Sequence, residues 1–250
     1  MKECIVITMP LKDARETVGD AIASFVRQKG VKRELVLLIG NDNSTDDSMQ
    51  IVGSFLPHPG IKILEFSFGK IYQCRNYLYD YARKYIPGCV LIGRLDTDDV
   101  LWQDDTMARI ESIFEETDFD VFMAGNKQQR DGEILEWENR ADQRMLEDDY
   151  LLQRLLEMSQ GNPRAELPSC NTFIRPSVQI LYPPRDSAED HWFSVLLLLE
   201  KDRLKIHLAE DFLYCIYSLN GLVTESNRKK EAHQKNRAEL YEFFKRKMKA

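Results

Sequence analysis

Apolar runs recur through the first half of the chain, at intervals that leave room for one helix between neighbours. Residues 4–9, 34–39, 61–66, 89–95 and 119–123 are near-continuous stretches of strand-forming side chains, the pattern expected of strands covered on both faces. Between them the spacing changes to threes and fours. Residues 20–26 place Ala21, Ile22, Phe25 and Val26 on one helical face, with Gly30 as a stop, and 44–56 and 71–85 read as crossover helices, the second ended by Pro87-Gly88. Such a series predicts an α/β fold, a parallel sheet with right-handed crossovers. After Met123 the pattern changes. Asp131-Gly132 predicts a hairpin turn between 127–130 and 133–137, and 141–159 reads as a Leu-rich helix broken by Gly161-Asn162-Pro163. A short strand at 170–174, a helix at 188–200, strands near 204–208 and 212–217 and a final basic helix complete the chain.

Composition narrows the class. The 250 residues, 43% hydrophobic and 30% charged, suit one large globular domain. Five cysteines, an odd number without C-x-x-C pairs, read as reduced core residues and predict a cytoplasmic protein. No stretch approaches the roughly 20 apolar residues of a membrane span, and Met1-Lys2-Glu3 leads straight into a strand instead of an export signal. The net charge of −7 hides an asymmetry: residues 228–250 hold nine Lys or Arg and three Glu, so the remainder carries −13. An acidic body argues against a nucleic-acid partner. The basic tail carries a partial apolar stripe of Ala238, Leu240, Tyr241, Phe243, Phe244 and Met248. It suits four placements: solvent, as a solvated terminal helix, which a charge run of this length favours, an anionic membrane face on the cytoplasmic side, a homodimer contact, or the body of the protein.

The densest chemistry is Asp96-Thr97-Asp98-Asp99, directly behind the fourth apolar run. Three carboxylates within four residues at the mouth of a buried strand repel one another unless a divalent cation or a proton neutralises them. Capping of a helix beginning near Trp102 is the simpler reading, and it accounts for one acid better than for three. In open sheets ligands bind beyond the carboxyl ends of the strands, where this cluster and Asp42 both fall. Around Asp42, in Asn41-Asp42-Asn43-Ser44-Thr45-Asp46, Asn43 can turn the chain and Ser44 or Asp46 can satisfy free amides. Asp42 itself can accept a hydrogen bond from a ring N–H such as that of uracil or thymine. Glu189-Asp190 precedes Trp192, Phe193 and 195–199, at the first turn of a buried helix, where either charge complementarity or chemistry explains it. His191 adjoins this pair and can tune it or contact a substrate. Cys170, within Ser169-Cys170-Asn171, has no neighbouring base to make it a nucleophile.

Six segments stand in the order and approximate spacing of one family: residues 5–10 (Ile-Val-Ile-Thr-Met-Pro), 23–28 (Ala-Ser-Phe-Val-Arg-Gln), Asn41 to Asp46, Cys74-Arg75-Asn76, Leu95 to Asp99, and Glu189-Asp190. Together they resemble the inverting family 2 glycosyltransferases of the GT-A fold. The resemblance runs from about residue 3 to 215. It implies a Rossmann-like, mostly parallel central sheet flanked by helices over residues 1–220, with a nucleotide-sugar half to about 125 and an acceptor half from 126 to 220, followed by a helical tail at 221–250. It implies that Pro10 and Asp13 wall the base, Asp42 bonds its imide, Arg75 approaches the diphosphate, and Asp96 and Thr97 join the donor set. Asp98, with Asp96 and Asp99, would hold Mn²⁺ or Mg²⁺, and Asp190, beside Glu189, would be the general base.

The implied reaction moves a sugar from a UDP- or dTDP-linked donor to a saccharide or lipid-linked saccharide acceptor, as in polysaccharide biosynthesis. Asn41, Asn43 and Leu11-Lys12-Asp13 depart from the family pattern. No Q-x-x-R-W sequence follows Asp190, which favours single addition over processive synthesis. Two alternatives stand beside this reading: a silent nucleotide-sugar-binding module, and a sugar nucleotidyltransferase. The latter is disfavoured because Pro10-Leu11-Lys12-Asp13 is not a Gly-rich phosphate loop.

Overall fold

The computed structural model describes residues 2–219 and 232–249. Its first half alternates strand and helix: β1 (Cys4–Leu11), α1 (Val18–Val26), β2 (Glu34–Asp42), α2 (Ser48–Gly53), β3 (Ile61–Phe66), α3 (Ile71–Tyr85) and β4 (Cys89–Arg94). There follow β5 (Val100–Leu101), α4 (Thr106–Thr117), β6 (Val121–Arg130), β7 (Glu133–Asn139), α5 (Asp148–Ser159), β8 (Thr172–Ile174), α6 (Glu189–Leu198), β9 (Ile206–Ser218) and α7 (Ala232–Lys247). One sheet holds all the described strands, in the order β3-β2-β1-β4-β8-β6-β9-β5 with β7 on β6. It is parallel from β3 to β4. Beyond β4 it is mixed, with β8 antiparallel to both β4 and β6 while β9 runs parallel to β6.

Alternation along the strands sends side chains to two cores. From β1, Ile5, Ile7, Met9 and Leu11 meet Val18, Ile22 and Phe25 of α1 and Ile110 of α4. Cys4 and Val6 point to the other face, towards Leu78 and Tyr79 of α3, Leu155 of α5 and Phe193 of α6. Helix α6 is apolar almost all round, as befits a helix enclosed in a core. Gly93 has a steric reason: a Cβ there would lie 2.2 Å from the Phe173 ring of β8.

Several expected elements differ in extent, each for a local cause. The helix expected over 44–56 is confined to α2, because Asn41, Ser44 and Asp46 side chains bond nearby backbone amides and hold 43–47 as a loop. No helix starts near Trp102. Val100 and Leu101 instead pair with β9, Trp102 N–H donates to Tyr214 O at 2.9 Å, and α4 begins at Thr106. Capping by Asp98 or Asp99 is thereby excluded. The 141–159 helix divides into a 3-10 turn at Gln143–Leu146 and α5, since Asp142 caps the turn through the Arg144 amide. The strands near 204–208 and 212–217 are one bent strand, β9, with register shifts against Ala124, Gly125 and Asn126. The predicted hairpin stands, with Asp131 and Gly132 both at positive φ as a tight primed turn requires.

The tail helix docks on the body. Leu240 and Phe244 are buried in the core with α5 and α6, the Phe243 and Trp192 rings lie 5.1 Å apart, and Arg237 pairs with Glu166 at 2.6 Å. Residues 221–231 of the expected tail, including Arg228, Lys229 and Lys230, lie outside the described residues. Among the described residues no helix is long and apolar enough to cross a membrane. Truncating a buried aromatic costs about 3–5 kcal/mol. Phe244→Ala should lower stability by that amount in urea unfolding followed by circular dichroism, and an unchanged midpoint would contradict the docking.

Candidate active site

The order of the strands creates the site. The chain steps from β1 to β2 and β3 on one side, then α3 carries it back across to β4 on the other. Loops after β1, β2 and β4 therefore meet at one switch point, where doubly wound sheets open a crevice. Lys12 Nζ donates to the carbonyls of Asp42 at 2.7 Å and Asn43 at 3.0 Å, and Asp13 Oδ1 accepts from Thr45 N–H at 2.6 Å. The Asp42 carboxylate accepts the Phe68 amide at 2.5 Å and the Gly69 amide at 2.8 Å. Asp13 and Asp42 thus bind the chain's own loops, shaping the crevice wall beside the buried Pro10.

At its centre lie two buried arginines. Arg94, the last residue of β4, is 1% exposed, with Nε 3.2 Å from Asp96 Oδ1 and Nη2 donating to Asp190 Oδ2 at 3.4 Å. Arg75 of α3 pairs with Glu189 and reaches Asp96 at 3.2 Å. The structure thereby gathers Arg75, Asp96, Glu189 and Asp190, separated by up to 115 positions, into one ionic cluster. Asp190 Oδ1 also accepts the His191 amide at 2.9 Å. Burial works to raise the Asp190 carboxyl, but His191, Arg94 and Arg75 together outweigh it and hold the group well below the usual range. Glu189, although paired with Arg75, is shifted up, first by burial and then by Asp190.

Arg94 was not singled out from sequence, yet a signal was there. An arginine inside an otherwise apolar strand run is a buried charge that requires partners.

Asp98 differs from Asp96, which two arginines hold. It makes no ion pair among the described residues, and burial, followed by repulsion from Asp96, raises its carboxyl to about 6. An acid short of positive charge beside a paired one is the donor that a hard divalent cation fits. Thr97, half-buried, separates it from Asp96. Asp99 turns inward, 1% exposed, and accepts the Ser218 amide at 3.0 Å. Asp99, Cys170 and Cys215 bring possible ligand atoms within 4.8 Å of one another. Both thiols, however, donate to Asn171 Oδ1, at 2.7 and 3.2 Å, and burial holds the Cys215 thiol well above its ordinary value. Metal ligation by cysteine needs thiolates, so this cluster fits a cation less well than Asp98 does.

The Asp98 shift carries a prediction. A carboxyl whose folded value lies above its ordinary 3.8 binds a proton on folding, so without metal stability falls as pH rises from about 4 to about 6. Asp98→Asn should shrink that loss and raise the thermal midpoint at pH 7 in chelator. Identical pH profiles for the two proteins would refute the assignment.

No family model matches the chain, and no curated protein matches it. Among solved structures it is similar to residues 1–349 of S. aureus TarS in complex with UDP-GlcNAc, with a TM-score of 0.68 and 19% identity over 90% of this chain and 61% of that one. The same protein with UDP gives a TM-score of 0.66 and 19% identity, over 86% of this chain and 60% of that one. The mannosyltransferase PcManGT from Pyrobaculum calidifontis, in complex with GDP-Man and Mn²⁺, gives 0.61 and 12%, over 91% and 60%. The chain spans about three fifths of the length of these structures. At such identities the likeness speaks to architecture, and the chain has the GT-A glycosyltransferase fold.

Proposed function

We propose that the chain is an inverting, non-processive glycosyltransferase that moves a sugar from a UDP- or dTDP-linked donor to a hydroxyl of a saccharide or lipid-linked saccharide. One observation carries this reading: Arg94 touches both Asp96, from the loop after β4, and Asp190, from the first turn of α6. A donor-side acid and an acid able to act on an acceptor thus share one guanidinium. The uridine nucleotides bound to TarS support a uracil donor.

Asp98 would hold Mn²⁺ or Mg²⁺ with Asp96 beside it, and the ion would supply Lewis-acid neutralisation of the charge that grows on the departing diphosphate. The chain's own groups do the rest. Asp13 and Asp42 shape the base end by holding the loops at 44–46 and 67–69. Arg75, bound to Asp96 and Glu189, keeps those carboxylates in place. Asp190 accepts the proton of the acceptor hydroxyl as its oxygen attacks the anomeric carbon opposite the leaving group, which inverts that centre. Depressed by its neighbours, this carboxyl is ionised at neutral pH and oriented by Arg94 and the His191 amide.

Nucleotide release from a panel of activated sugars, with and without Mn²⁺, tests the reading. Turnover should appear with at least one UDP- or dTDP-sugar, and no turnover on any donor would favour a binding module. General-base catalysis contributes about 10²–10⁴-fold, so Asp190→Asn should lower kcat by that factor while donor affinity, measured by calorimetry, stays within about twofold.

A further inference from the structure

A cavity of about 570 Å³ lies between α5, β7, the 3-10 turn at Pro163–Ala165 and the bend of β9, and none of the active-site residues lines it. That volume is ordinary for a small-molecule site. Arg154 of α5, 8% exposed, forms part of the wall. It is one of four arginines buried among the described residues. Arg75, Arg94 and Arg237 each pair with a carboxylate, whereas Arg154 pairs with none. Its Nε donates to Ala165 O at 3.2 Å, and its Nη2 to Asn139 Oδ1 at 3.2 Å, Arg140 O at 3.1 Å and Glu166 O at 2.7 Å. All are neutral oxygens. Nη1 takes part in none of these bonds, and it is accessible, unlike the sealed Nε atoms of Arg75, Arg94 and Arg237. The Tyr150 hydroxyl beside the guanidinium gives its proton to Asp142 Oδ2 at 2.6 Å, and Asp142 is already held by Arg144. Burial accordingly pulls Arg154 below the ordinary arginine value. A guanidinium taken out of water without a counter-charge is costly, and the cavity beside it leaves room for one to arrive.

We propose that this cavity binds a zwitterionic small molecule of the amino-acid class, with its carboxylate on Arg154 and Arg164 and its ammonium towards Glu157 and Glu210. The charges of the lining decide the class. Arg140 takes Glu138 and Asp211, and Arg144 takes Asp142. Two groups of each sign remain without an ion pair among the described residues: Arg154 and Arg164, Glu157 and Glu210. Glu157 accepts the side-chain amides of Gln153 at 2.9 Å and Asn162 at 3.0 Å, and Glu210 the Gln143 backbone amide at 3.1 Å. A polyanion such as a diphosphate would face both free acids, and a polyamine would leave Arg154 uncompensated. One charge of each sign answers both demands. The placement follows from the fold. Arg154 and Glu157 are three apart on α5 and share a face, and the turn after α5 supplies Arg164. Across from them, residues 210–212 stand out of the ladder with β6, which brings Glu210 to the opposite side. The assignment is independent of the transferase reading.

The test is ligand-observed NMR on the full chain with the common α-amino acids, followed by calorimetry on those that bind. At least one should bind, its decarboxylated amine and its deaminated acid should each bind at least about tenfold more weakly, and UDP should not displace it. Arg154→Gln should weaken binding about tenfold or more, the loss of a charge-assisted hydrogen bond. Because Arg154 also ties residues 139–140 and 165–166 to α5, the exposed Arg164→Gln and Glu210→Gln serve as variants that leave the thermal midpoint unchanged. Each should cost about two- to fivefold, as exposed ion pairs do. No binding of any amino acid would overturn the assignment and leave Arg154 as a clamp. Binding that survives removal of either charged group, displacement by UDP, or affinities unchanged in both exposed variants would overturn it equally. None of these outcomes bears on the transferase reading, which nucleotide release tests separately.

Discussion

Two guanidinium groups sealed inside the protein set the terms for everything around them. Removing an ion from water costs several kcal/mol unless well-placed partners compensate, and Arg75 and Arg94 both reach Asp96, with the charge of Arg94 opposing that of Arg75. Asp96, Glu189 and Asp190 meet that demand. They come from opposite halves of the chain, so the ionic cluster couples the parallel strands of the first half to helix α6 of the second. The two acids expected to do chemistry are thus held by the same charges that hold the halves together.

Position then differentiates acids of identical type. Asp96 is paired twice, Asp98 makes no ion pair among the described residues and is pushed up to about 6, Asp99 is sealed against the Ser218 amide, and Asp190 is drawn down by its neighbours. Carboxyls whose environments pull them apart in this way are suited to different tasks: one to be neutralised by a cation, one to stay ionised and take a proton. The cluster as a whole is short of positive charge, which a metal ion would relieve.

Most of the architecture was legible because periodicity reports burial. β3 and α3 fall where the pattern placed them, and Asp131-Gly132 forms the predicted turn because few dipeptides adopt two left-handed residues so readily. Misjudged extents came from interactions between distant segments. The 43–47 loop is held by bonds to 13–15, and residues 100–102 by β9, pairings that no local window contains. The site divides in the same way. Acids at strand ends and at the start of α6 were visible as motifs, whereas Asp42 reads as a base ligand in sequence and as a loop clasp in the fold, because Phe68 and Gly69 lie 26 and 27 residues away. The docking of α7 was hidden by its composition. A run of Lys and Arg resembles a solvated or membrane-facing helix until Leu240 and Phe244 are seen in the core and Arg237 on Glu166.

The central claim is that a cation at Asp98 and a base at Asp190 work on one nucleotide sugar between them. Anomalous diffraction at the manganese edge, from crystals grown with UDP and Mn²⁺, tests it most directly. The account predicts a single strong peak within coordination distance of an Asp98 oxygen, with diphosphate density beside it on the Asp190 side. A peak seated instead among Asp99, Cys170 and Cys215, or nucleotide bound away from Asp98, would contradict it.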